Sequence, residues 1–180
     1  DFAAIAHLTT IKTGLPILHF FDGFRTSHEI NTYEEIEYDI LRKLVDEQGL
    51  ARIRAKSLNP EHPCIRGTIV GPEYVWQGAE KPIKAYGNLD QEIEKMMDRL
   101  GDLTGRHYKP IQYVGTPNDE YAIVMLGSGN DTVEEYVRTH PGCGIGLLKI
   151  HLYRPFKANR ILEALPTSVK RVCVMDKVRD

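Results

Sequence analysis

"YAIVMLGSGNDTVEEYVRTHPGCGIGLLKIHLY", residues 121–153, is the stretch that decides the fold. Two short apolar runs, "YAIVMLGSG" and "IGLLKIHLY", flank the helix-like segment "TVEEYVRTH". A third run, "KRVCVMD", follows a second helix-like segment, "NRILEALPT". Apolar runs of this length read as strands buried on both faces, and their alternation with helices implies a parallel sheet with right-handed crossovers. The expectation is a β-α-β-α-β unit with parallel strands at 122–126, 145–153 and 171–175. The loop "GSGNDT" has Gly127 and Gly129, but Thr132 stands where the third glycine of a GxGxxG motif would be. Asp131 would also set a negative charge at the helix start, where a phosphate would need to lie. The loop therefore reads as a tight turn, with Asp131 or Thr132 capping the helix that follows.

Upstream, "TYEEIEYDILRKLVDEQGL" has helical periodicity. Ile36, Ile40, Leu41, Leu44 and Val45 form one stripe, Thr32 and Glu35 have capping-box spacing, and Gly49 stands at a stop position. "ARIRAK" then alternates strictly, which predicts a half-buried strand with Arg52, Arg54 and Lys56 on its charged face. Residues 57–88, rich in proline and glycine, read as a long irregular excursion packed down by Trp76. A second amphipathic helix is expected over 89–103, with Ile93, Met96, Met97, Leu100 and Leu103 inward and Gly105 as its end signal. The whole is α/β: residues 1–113 form the tail of one domain, 114–120 a linker, and 121–180 the first half of a second domain with a parallel sheet.

One loop concentrates chemistry. "HFFDGFRTSHE", residues 19–29, follows a strand-like run, "LPILHFF", and carries Asp22, Arg25, Thr26, Ser27 and His28. Ligands of open α/β sheets gather at the carboxyl ends of strands, where Arg25 could hold a carboxylate or phosphate. The same residues also make a plain capped turn. Asp22-Gly23 is turn chemistry, Thr26 and Glu29 have capping-box spacing, and Asp22 can pair with Arg25. In the intact protein Arg25 is expected to be buried and held by a carboxylate, Asp22 being the nearest.

Composition sets the outer bounds. The 180 residues are 42% hydrophobic, sufficient for a real core, and the net charge of −2 gives no general attraction to nucleic acid or an anionic membrane. No apolar run approaches the roughly 18 residues of a membrane span. Cys64, Cys143 and Cys173 lie far apart, with neither CxxC nor iron–sulfur spacing, and read as buried or half-buried thiols in a reducing cytosol. His140 and Cys143 form an H-x-x-C pair without further ligands, so no metal site is expected. The chain opens at Asp1 without methionine, inside the helix-like "FAAIAHLTTIKTG", and stops after a strand-like run, as a piece of a larger protein would.

Four strings, "PILHFFDGFRTSHEI", "RIRAKSLNPEHPCIRGT", "LTGRHYKP" and "GLLKIHLYRPF", together resemble pyruvate:ferredoxin (flavodoxin) oxidoreductases, in the family's order and at compatible spacing. The resemblance spans essentially the whole chain. It implies a longer multidomain enzyme that converts pyruvate and coenzyme A to acetyl-CoA and carbon dioxide. Thiamine diphosphate with Mg and [4Fe–4S] clusters would pass the electrons to ferredoxin or flavodoxin. This chain would hold the end of the pyrimidine-binding-type domain and the start of a transketolase-C-terminal-like domain. The family's substrate-binding and cofactor-activating residues would lie upstream, and its cluster cysteines and diphosphate-binding domain downstream. The chain alone is thus expected to be inactive, with no catalytic residue of its own and no cofactor held by itself. Asp22, Arg25, Thr26, Ser27 and His28 would shape the thiamine site from behind the reacting groups. The resemblance further implies a homodimer in the cytoplasm, with a eukaryotic organelle as the alternative compartment. The alternative is a non-catalytic interaction or scaffold domain of a related flavoprotein reductase. The segment "RTHPGCGIG" departs from the family's usual stretch before the last string.

Overall fold

The structure, a computed structural model, describes residues 1–63, 67 and 69–176. In chain order its elements are α1 (Phe2–Thr13), α2 (Arg25–His28), α3 (Tyr38–Leu44), α4 (Glu47–Ala55), α5 (Pro72–Tyr86) and α6 (Leu89–Thr104). There follow β1 (Ile111–Val114), β2 (Tyr121–Met125), α7 (Gly129–Thr139), β3 (Ile145–Ile150), α8 (Ala158–Ala164) and β4 (Arg171–Val174). The chain divides into two compact units, Asp1–His19 with Glu34–His107, and Phe20–Tyr33 with Tyr108–Asp180.

The first unit is helical. Its core is built from Ile5 and Leu8 of α1, Leu44 of α3, and Leu89, Ile93, Met96, Met97 and Leu100 of α6, all buried. The inward stripe expected for α6 is present except at Leu103, which is 42% exposed. Gly105 closes α6 in the left-handed region (φ 74°) and donates its N–H to the Gly101 carbonyl. Lys12 of α1 and Glu92 of α6 pair at 2.7 Å across the two helices.

Three expectations for this unit are corrected. The single helix over 32–49 is two, α3 and α4, separated at Val45-Asp46, because the Asp46 carboxylate accepts the Gly49 N–H and starts a new helix. "ARIRAK" is not a strand. Residues 51–55 complete α4, since alternation over six residues cannot outweigh a capped run of alanine and arginine, both strong helix formers. Within the excursion lies α5, whose Pro72 occupies a first-turn position where a missing N–H costs nothing. Trp76 of that helix is 76% exposed, contrary to the expectation that it packs the excursion down.

The second unit holds a four-stranded mixed sheet in the order β1-β3-β2-β4. Strand β2 pairs parallel with both β3 and β4, in registers that set Val124 beside Leu148 and Ile123 beside Cys173, so the expected β-α-β-α-β unit is present. Strand β1, not anticipated from the sequence, adds antiparallel to β3 with Tyr113 opposite Leu148. Ala122, Val124, Val137, Leu147 and Leu148 form the core. Strand β4 is exposed along its whole length, contrary to the reading of a buried strand, because it is the sheet's edge. Cys143 and Cys173 are exposed rather than buried, and Cys64 lies outside the described residues. "LPILHFF" forms no strand, and Leu18, Phe20 and Phe21 are exposed.

Candidate functional site

The loop at Asp22 belongs to the sheet unit and meets the carboxyl end of β2. The Ser128 N–H donates to Asp22 Oδ1 at 3.1 Å, and the Ser128 hydroxyl donates to Oδ2, linking residues 106 apart in sequence. The Thr26 hydroxyl, one turn along in α2, donates to the same Oδ2 at 3.1 Å. These bonds, the Ser128 hydroxyl first and its N–H second, hold the half-buried Asp22 carboxyl far below the usual carboxylate range. Gly127 sits between the partners at φ 85°, and a Cβ there would come within 3.3 Å of Asp22 Oδ1.

The structure thus brings Asp22 and Thr26 together but separates Arg25 from both. Arg25 is exposed, and among the described residues no ion pair includes it. The pairing of Asp22 with Arg25 across the turn is not formed, because Ser128 and Thr26 take the carboxylate instead. Thr26 does not cap with Glu29 either, since it lies inside α2 and bonds backward to Asp22. His28 Nδ1 donates to the Phe24 carbonyl at 2.6 Å, and the Ser27 hydroxyl donates to the same oxygen at 3.1 Å. Neither Asp131 nor Thr132 is the cap of α7. That position is Ser128, and the Asp131 side chain is 87% exposed, 4.0 Å from Lys149. On the inner side of α7, Glu134 joins Lys149 of β3 at 2.5 Å and Arg138 at 2.6 Å.

A second polar cluster lies at the start of the parallel strands. Asp119 is buried, 2% exposed, and accepts the Thr116 N–H (2.6 Å), the Thr116 hydroxyl (2.8 Å) and the Tyr113 phenol (3.0 Å). Burial works to raise its pKa, but these bonds outweigh it and hold the carboxyl below its ordinary value. Burial first, and the bond to Asp119 second, push the Tyr113 phenol well above its ordinary value. A cleft of about 400 Å³ opens beside them, lined in part by Arg138, His140 and Cys143. The H-x-x-C pair does meet there, yet His140 Nδ1 is bound to the Tyr136 carbonyl at 3.0 Å. Among the described residues no three metal-ligating side chains come together.

Asp119→Asn tests that cluster. It keeps one acceptor and should cost about 1 kcal/mol at pH 7 in urea denaturation. The folded pKa of Asp119 is depressed, so its stabilisation is complete above the unfolded value of about 3.9 and is lost as pH falls through the lower folded value. The difference from wild type should therefore be smaller at pH 3 than at pH 7. An equal difference at both would show that the charge contributes nothing.

The model of the pyruvate flavodoxin/ferredoxin oxidoreductase thiamine diphosphate-binding domain matches residues 1–98, more than half the chain. The chain belongs to this oxidoreductase family. It is 42% identical, over 100% of its length, to the pyruvate:ferredoxin oxidoreductase of Moorella thermoacetica, and 41% to the pyruvate-flavodoxin oxidoreductase of Klebsiella pneumoniae. It is 40% identical to a mitochondrial pyruvate dehydrogenase [NADP(+)] of Euglena gracilis. It spans 16%, 16% and 10% of these relatives.

The oxidoreductase family's cofactors can be tested against the donors described. A diphosphate does not fit the start of α7, because Asp22 occupies the Ser128 N–H and Asp131 adds a second carboxylate in the first turn. A [4Fe–4S] cluster takes four thiolates, and the chain has three cysteines, of which Cys143 and Cys173 lie apart on the surface. No chemical step is therefore assigned to those groups on these residues. Ser128, Tyr113 and Asp119 were not singled out from sequence. The T-x-x-D spacing of Thr116 and Asp119 was the available signal for that turn. No helix among the described residues is long and apolar enough to cross a membrane.

Proposed function

We propose that this chain is part of a 2-oxoacid oxidoreductase that oxidatively decarboxylates pyruvate with coenzyme A, giving acetyl-CoA and carbon dioxide and passing electrons to ferredoxin or flavodoxin. The observation that carries the reading is identity of about 40% along the entire chain to relatives named for that substrate and those acceptors. On the family's domain order residues 1–113 would be the C-terminal part of the pyrimidine-binding-type domain, 114–120 a linker, and 121–180 the start of the transketolase-C-terminal-like domain, to whose sheet β1 (Ile111–Val114) adds. Thiamine diphosphate with Mg and the [4Fe–4S] clusters are held mainly by other parts of a cytoplasmic homodimer. Asp22, Arg25, Thr26, Ser27 and His28 shape the thiamine site without touching the reacting atoms.

Two proteins test this: the 180-residue chain alone, and the complete product of the gene that encodes it, both purified without oxygen. The chain alone should be colourless and should not reduce methyl viologen with pyruvate and coenzyme A. The complete protein should be brown and should reduce it. NADP+ belongs among the acceptors tried, given the name of the Euglena relative. Pyruvate-dependent turnover by the chain alone, or none by a cluster-loaded complete protein, would overturn the proposal.

A further inference from the structure

We propose that Asp22 is a clamp: its carboxylate fastens the Phe20–Tyr33 segment to the start of α7, and through it to the carboxyl end of β2. Hydrophobic burial does not hold this segment in place. Phe20, Phe21, Phe24, Ile30 and Tyr33 are all more than half exposed, and α2 has no buried residue. A segment with five exposed apolar side chains and a one-turn helix has little reason to keep one conformation. It nevertheless holds Phe24 at φ 56° and ψ −87°, a region strained for any residue but glycine. Something polar must over-determine that turn.

Asp22 is the group placed to do so. It stands two residues before Phe24, receives Thr26 from two residues after it, and reaches across 106 residues of sequence to the Ser128 N–H and hydroxyl. One carboxylate thus closes the turn on itself and ties it to a rigid helix. The Ser128 side rests on firm ground. Asn130, one residue into α7, is buried at 4% exposure and donates to the Gly127 carbonyl at 3.0 Å, which fixes the loop that presents the Ser128 N–H. Gly127 has no side chain to crowd Asp22 Oδ1. The result is that Arg25, an exposed cation among the described residues, is held at the sheet edge as part of a fixed turn. The clamp stands independently of the proposed activity, and its test uses no turnover.

The experiment is trypsin cleavage after Arg25 in the 180-residue chain, timed by mass spectrometry, with the melting temperature recorded for each variant. Charge-assisted hydrogen bonds are worth about 1.5 kcal/mol or more, so Asp22→Ala should speed cleavage at Arg25 about tenfold. Ser128→Ala, which retains the N–H contact, should speed it less. Ser128→Ala added to Asp22→Ala should change nothing further, because both act through one contact. Asp22→Asn offers an acceptor to the Ser128 N–H and a donor to its hydroxyl, and should restore much of the protection. Melting temperatures should move little, since the segment buries almost no apolar surface. Independent, multiplying effects of the two alanine substitutions would overturn the clamp, as would cleavage at Arg25 in the wild type as fast as in Asp22→Ala.

Discussion

Gly146→Ala is expected to destabilise the sheet unit by about 3 kcal/mol, the upper range for forcing one methyl into a filled site. Gly146 lies on β3 beside Ala122 of β2, and the Tyr113 ring lies across it. A Cβ there would fall inside the van der Waals envelope of the Tyr113 hydroxyl oxygen and Cζ, with Cε2 only 2.8 Å away. A free tyrosine could swing aside, but this one is fixed by its bond to Asp119, a carboxylate that also holds the Thr116 turn. Moving the ring breaks that bond and leaves a buried acceptor short of a donor, which adds to the steric cost. Urea denaturation followed by tyrosine fluorescence and circular dichroism measures the loss. The mechanism has its own control. With Tyr113→Ala already in place, Gly146→Ala should cost under about 1 kcal/mol, because the obstructing ring is gone. If Gly146→Ala costs the same in both backgrounds, the ring is not the obstacle.

How much of this could be read from the chain differs between the units for a physical reason. Strand β3 and the Ala122 and Val124 face of β2 are buried, and both strands show as continuous apolar runs, so the β-α-β-α-β order is legible without a structure. Strand β1 is four residues long, follows Pro110 and pairs antiparallel at the sheet's other edge, so its polar flanks hide it. In the helical unit, α6 is legible because sixteen residues carry a full amphipathic stripe and a glycine cap. The stretch "ARIRAK" misleads because six residues fit either period, and the capping aspartate that settles the matter lies five residues upstream at Asp46. Prolines conceal α5, although Pro72 marks its start. At the candidate site, Asp22-Gly23 and Gly127-Ser128-Gly129 are each recognisable as turns. Their meeting is a tertiary contact across 106 residues, which no local pattern encodes. Sequence proximity pairs Asp22 with Arg25, the nearest opposite charge, whereas in the fold two hydroxyls and an N–H hold the Asp22 carboxylate.

Gly49 carries the second large expectation, and here the local signal points the wrong way. As a glycine at the end of an apolar-periodic stretch it reads as a helix stop, yet it is the third residue of α4 and is buried. Its role is to let α4 approach α1. A Cβ at Gly49 would collide with the Ile11 carbonyl oxygen, with the Ile11 carbonyl carbon and Asp46 Oδ2 each at 3.0 Å. Two effects of Gly49→Ala oppose each other. Alanine is the better helix former by about 1 kcal/mol. Against that, the obstacle is backbone rather than a movable side chain tip, so relief requires the two helices to separate. Separation would strain the Arg52 bond to the Lys12 carbonyl (3.1 Å) and loosen the packing of α4 on α1. A cost of about 3 kcal/mol or more for the overpacking leaves a net loss of about 2 kcal/mol. Gly78→Ala in α5 is the matched control, because a Cβ there meets nothing within 4 Å and only the propensity gain should remain. In urea denaturation Gly49→Ala should therefore shift the midpoint down and Gly78→Ala should leave it unchanged or raise it. Equal shifts for the two would mean that helix propensity alone is being measured, and that the approach of α4 to Ile11 does not constrain position 49.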